Sequence, residues 1–70
     1  MQHLIALYHP ACWANIVITT SDGKPVYAVE KTLNAGYNNI RLDLGTLAPG
    51  IYVVKLITPD GVRFRKVIKE

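Results

Sequence analysis

Apolar and polar residues alternate with a period of two along most of the chain, and that alternation predicts its elements. In "WANIVITT", Ile16 and Ile18 share one face while Asn15, Val17 and Thr19 share the other, the pattern of a half-buried strand. "SDGK" follows, and its Asp22-Gly23 pair tolerates the positive φ of a tight hairpin turn, so "PVYAVEKTL" is expected to return as a second strand. After a turn at "NAGYN", "NIRLDL" gives the cleanest alternation, with Ile40, Leu42 and Leu44 inward and Asn39, Arg41 and Asp43 outward. "GTLAPG" turns the chain again into the strand "IYVVKLIT", and "PDG" turns it into "VRFRKVIK", which runs back alongside. "LIALY", ahead of Pro10, is a candidate sixth strand. No segment has a helical period, and no unit repeats.

Short strands separated by turn signals every eight to twelve residues or so define an antiparallel all-β fold, since parallel strands need long crossovers. The expected architecture is a small antiparallel Ig-like β-sandwich of about six to seven short strands. Its expected core is Ile16, Ile18, Val26, Ile40, Leu42, Leu44, Leu47, Tyr52, Val54, Leu56 and Phe64, from alternation and turn position. Within "LAPGIYVVKL", Leu47, Gly50 and Tyr52 are spaced for a tyrosine corner, in which a Tyr ring enters the core and its hydroxyl returns to an upstream backbone group.

Composition narrows the range of functions. Seventy residues make one domain, and a chain that small buries only about 60% of its unfolded surface. Half the residues are hydrophobic and 19% are charged, which fits a packed globular chain. No apolar run approaches the roughly 18 residues of a membrane span, and "MQHLIALYHPACW" lacks the layout of a signal peptide. Cys12 is the single cysteine, so no disulfide closes within the chain. The net charge is +3, and four of the cations, Arg63, Arg65, Lys66 and Lys69, crowd into the closing "RFRKVIKE". Alternation puts Arg63 and Arg65 on one side of that strand and Phe64 and Ile68 on the other. The expectation is an edge strand with a charged solvent face, which deters aggregation, rather than a nucleic-acid surface.

Chemistry is sparse. His3, His9 and Cys12 lie close in sequence, yet a fourth ligand and the spacing of a zinc motif are missing, so no metal and no cofactor are expected. A Cys12–His9 nucleophile pair would need an orienting acid and an oxyanion donor, and the sequence announces neither. "SDGK" and "TPDG" lack the glycine run and terminal Lys-Ser/Thr of a phosphate loop. No catalytic residue is assigned.

The order of features from about Ala14 to Lys69 resembles the C-terminal sorting domain of the type IX secretion system, an Ig-like tail on secreted proteins. The matching segments are "NIVITTSDGKPVY", "LNAGYNNIRLDLGTL", "LAPGIYVVKL" and "FRKVIKE". "L-x-P-G-x-Y" alone also occurs in fibronectin and immunoglobulin modules; the specificity lies in the order of the segments and the ending near Lys69. The chain departs from the pattern in two places. The family opens with "Y-P-N-P" and a further strand before the stretch matching "NIVI", whereas here "YHPACW" runs straight into it, and Glu70 follows the basic finish. The first departure leads to the expectation of an incomplete sandwich with an uncovered edge that a second copy would fill.

What the resemblance implies is an address rather than an activity. The division is an N-terminal segment, residues 1–13, either an extra strand or the start of a piece of a larger precursor with an added Met1, followed by the sorting domain, residues 14–70. Such a domain directs attached cargo across the outer membrane. It is recognised by a shuttle protein and the translocon, and in many members a sortase-like peptidase removes it. Its route is the periplasm in transit, then the outer membrane and cell surface, or the medium. By residue, Leu47, Gly50 and Tyr52 would hold the corner, and Lys66, Val67, Ile68 and Lys69 match the terminal segment read by the machinery. The alternative is a generic Ig-like or fibronectin-like adhesion module, which gives the terminal residues no special role.

Overall fold

The computed structural model describes residues 2–70, with side chains from Leu4 onward. His3, considered above as a metal ligand, therefore has its side chain outside the described residues. Among the described residues, six strands account for about 75% of the chain: β1 (Gln2–His9), β2 (Cys12–Thr20), β3 (Pro25–Leu33), β4 (Gly36–Asp43), β5 (Gly50–Thr58) and β6 (Gly61–Lys69). They form two antiparallel sheets, β1-β4 and β3-β2-β5-β6. This is the all-β sandwich the alternation predicts.

The turn signals of the sequence have structural counterparts. Gly23 has φ +96° in the turn after β2, a region that favours glycine. Around it the Gly23 amide donates to the Thr20 carbonyl at 3.0 Å and the Thr20 amide donates to Lys24 at 2.9 Å, closing the β2–β3 hairpin. Asn38 fixes the β3–β4 connection: its side-chain oxygen accepts from the Asn34 amide at 2.8 Å and its NH2 donates back to the Asn34 carbonyl at 2.9 Å. The candidate sixth strand "LIALY" is present within β1, paired along its length with β4 from Gln2↔Asp43 to His9↔Gly36. Pro10 lies just beyond β1, where its missing N–H interrupts no ladder, and this is how the chain crosses from one sheet to the other.

The core lies between the sheets. Ile16, Ile18, Ile40, Leu42, Leu44, Tyr52, Val54 and Leu56 are buried as expected, and Val26 and Leu47 are half-buried against them. Ile5, Ala14, Leu33 and Val67 complete it.

Phe64 is the failure: it is 67% exposed. The cause is strand phase. Pro59 and Asp60 form a two-residue hairpin loop that opposes Thr58 to Gly61, and antiparallel partners point to the same side. Thr58 is buried, so the odd positions of β6 point inward: Arg63 opposite Leu56, Arg65 opposite Val54 and Val67 opposite Tyr52. Phe64 and Ile68 point outward. The arginines expected on the solvent face of an edge strand are on its inner-facing side, where they remain exposed because little covers β6.

The two sheets differ in width. β1 and β4 make a layer two strands wide over one of four, and the edge strands β3 and β6 are largely exposed on both faces. The central strands β2 and β5 alternate between buried and half-buried positions.

Truncating Leu42 to Ala is expected to cost about 2–5 kcal/mol, a large share of the stability of so small a domain. Phe64→Ser is expected to change stability by no more than about 0.5 kcal/mol. Urea titration of the two variants checks both. A Phe64→Ser cost as large as that of Leu42→Ala would contradict the phase assigned to β6.

Candidate functional site

The loop between β4 and β5, residues 44–49, carries the chain from the narrow sheet to the wide one, and its backbone carbonyls need partners. Leu44 anchors its start, fully buried, and the Leu47 amide donates to the Leu44 carbonyl at 3.1 Å. The Asp43 carboxylate accepts from the Gly45 amide at 2.9 Å. Two side chains from the neighbouring strands then fasten the loop. The Tyr52 hydroxyl donates to the Ala48 carbonyl, four residues upstream, while its ring is buried. The Lys69 ammonium donates to the Leu47 carbonyl and, at 3.3 Å, to the Gly45 carbonyl. Gly50, opposite Lys69 in the ladder, brings the last turn of β6 against this corner.

The four terminal residues singled out from the sequence therefore divide by parity. Val67 is buried opposite Tyr52, and Lys69 is occupied by the loop carbonyls. Lys66 and Ile68 point outward and are exposed. Ile68 lies opposite Ile51, and Lys66 opposite Val53, on an outer face that also carries Lys55 opposite Phe64. No sequence signal singles out Lys69 as a clamp on the corner, because its acceptors lie more than twenty residues upstream. The inward arginines were within reach: counting residues through the two-residue Pro59-Asp60 loop gives the phase directly.

A second cluster joins the ends of β1, β2 and β5. His9 is buried, with Nδ1 donating to the Pro10 carbonyl at 2.9 Å and lying 3.4 Å from Cys12 Sγ, and with Nε2 3.7 Å from Asp60. Asp60 supplies the acid that the sequence did not announce for this pair. The arrangement still does not make a nucleophile, because an Nδ1–H committed to Pro10 leaves no lone pair to take the thiol proton. The cluster brings the β5–β6 turn against the end of β1, the Asp60 contact being an ion pair when the imidazole carries both protons. Among the described residues no group of three His, Cys, Asp or Glu converges on a metal position. A cleft of about 360 Å³ between the end of β3 and β4 is lined by Lys31, Tyr37, Asn38 and Arg41 among others, with no acid, His or Cys. It offers cations, amides and the Thr32 and Tyr37 hydroxyls.

A two-layer antiparallel sandwich, with the Tyr52 hydroxyl and the last strand fastened to the β4–β5 loop, fits a small Ig-like domain. The chain belongs to the secretion system C-terminal sorting domain family, whose sequence pattern matches residues 4–70. The match takes in most of β1 as well as the segments from Ala14 onward. No curated protein and no solved structure matches the chain. Membership identifies the domain as a C-terminal sorting signal of type IX secretion, engaging that machinery in general and leading to export to the cell surface or the medium.

Tyr52→Phe leaves the Ala48 carbonyl without its donor and is expected to cost about 1 kcal/mol or somewhat more. Lys69→Met should have a similar effect by releasing the same loop, while Lys66→Met, three residues earlier and on the open face, should stay within about 0.5 kcal/mol. Chemical denaturation of the three variants checks this. Equal stability of Tyr52→Phe and the parent would show that the corner does not hold the loop.

Proposed function

We propose that the domain acts as a non-catalytic address, and that the shuttle protein and translocon of the type IX system read it through the outward side chains of its last strand. Lys66 and Ile68 are the residues of the terminal segment that a partner can reach; Val67 and Lys69 serve recognition by holding that strand in place. The observation that carries this reading is the family match over nearly the whole chain, joined to the parity that exposes Lys66 and Ile68. Attached cargo passes through the periplasm and crosses the outer membrane with the folded domain. A sortase-like peptidase then removes the domain from cargo that is to be anchored at the surface.

An adhesion module would share the tyrosine corner. It gives no reason for an exposed Ile68 beside Lys66 at the end of the chain, and the order of segments from "NIVI" to "RKVIKE" favours the sorting reading.

Removing residues 66–70 would not test it, because the deletion also takes Val67 from the core and Lys69 from the loop. The informative variant is Lys66→Ser with Ile68→Ser. In a secreted precursor it is expected to fold with an unchanged urea midpoint while recognition weakens roughly tenfold or more, the effect of losing one to two kcal/mol of interface contact. Export measured beside a Lys31→Ser control decides: full export of the double variant would overturn the assignment of these two residues.

A further inference from the structure

The free edge of β1 and the uncovered inner side of β6 together form a vacant strand position. β1 is paired on one side only, with β4. Ile5, Ala6 and Leu7 of β1 line a cleft with Val54 and Leu56 of β5 and with Arg63, Phe64 and Arg65 of β6, so β1 lies across from β5 and β6. The cleft holds about 140 Å³, below the roughly 300 Å³ at which small-molecule pockets begin. It is a place for side chains of a passing strand rather than for a free ligand.

A strand added to the free edge of β1 would lie about 4.8 Å beyond it, above β6. Its inward side chains would meet Arg63 and Arg65. Among the described residues no carboxylate lies within salt-bridge distance of either guanidinium, the one such contact being His9 with Asp60. The two arginines are two residues apart on one strand, about 6.8 Å, which is also the spacing of side chains at i and i+2 on a strand facing them. Guanidinium pairs best with carboxylates, in a two-pronged geometry.

We propose that this position binds an extended segment of a partner protein by β-strand addition to β1, with carboxylates at two alternate positions meeting Arg63 and Arg65. A second copy of this chain does not supply it: its five acids, Asp22, Glu30, Asp43, Asp60 and Glu70, include no pair two residues apart. The mode of binding is the familiar one in which main-chain bonds give affinity and alternate side chains give choice of partner. It uses the inner side of β6, and so is independent of the outward Lys66 and Ile68 and of the sorting role.

The test titrates the 70-residue chain with a synthetic seven-residue peptide of alternating Glu and Val, and with an isomer carrying the same Glu residues in one block. Binding is followed by backbone NMR shifts and amide exchange. The alternating peptide is expected to bind, to slow exchange of amides between Leu4 and Tyr8, and to bind at least tenfold more tightly than the isomer. Arg63→Gln with Arg65→Gln should weaken it tenfold or more, and Arg63→Lys with Arg65→Lys should fall between, since charge remains and the fork is lost. The lysine pair also serves if the glutamine pair fails to fold. Equal binding of the two peptides, absence of binding, indifference to the lysine and glutamine variants, or shifts confined to β3 would each overturn the proposal. So would a chain that dimerises through β1 without peptide.

Discussion

Two strands cannot cover four, and most of the molecule follows from that mismatch. At about 4.8 Å per strand the β1-β4 layer spans roughly half the width of the β3-β2-β5-β6 layer beneath it. Burial is therefore concentrated where β2 and β5 run under the narrow sheet, with Ile16, Ile18, Val54 and Leu56 at its centre. The outer strands β3 and β6 obtain little from the core and owe their place to the ladders with β2 and β5. Polar and charged side chains appear on them where a wider sandwich would have apolar ones, Arg63 and Arg65 being the clearest case.

A sandwich with so little core per residue depends on how its connections are fixed. The β4–β5 loop is the crossing from the narrow sheet to the wide one, and it is held from two directions, by Tyr52 within β5 and by Lys69 at the end of β6. Structure and the proposed recognition thus meet in the last strand. The same short strand supplies a core residue, Val67, a clamp, Lys69, and the exposed pair Lys66 and Ile68. On the sorting reading, the machinery senses a surface that exists only when the last strand is docked, so a folded domain is what carries the address.

The sequence made the strands legible wherever one face is much more apolar than the other. "NIRLDL" allows a single phase, and Ile40, Leu42 and Leu44 are buried. "VRFRKVIK" does not: Val62, Phe64 and Ile68 argue for the even face and Val67 alone for the odd, yet the two-residue turn after Thr58 sets the odd face inward. Register overrode composition there because β6 is an edge with little core to satisfy. β1 was hard to place because Pro10 and its neighbours obscure where the strand ends, and because its pairing with β4 spans some thirty residues of sequence. The bond from the Tyr52 hydroxyl to the Ala48 carbonyl spans only four residues, a separation that local spacing can encode. The Lys69 clamp and the Asp60 contact to His9 depend on tertiary proximity that no local spacing encodes.

The central claim is that these 70 residues are sufficient as an export address. The direct measurement fuses them to the C-terminus of an inert periplasmic reporter, in one strain with a type IX system and in another lacking its translocon, and assays reporter outside the cell. Reporter outside the first strain and retained in the second is the predicted result. A soluble, folded fusion retained in both strains, or released equally from both, would contradict it.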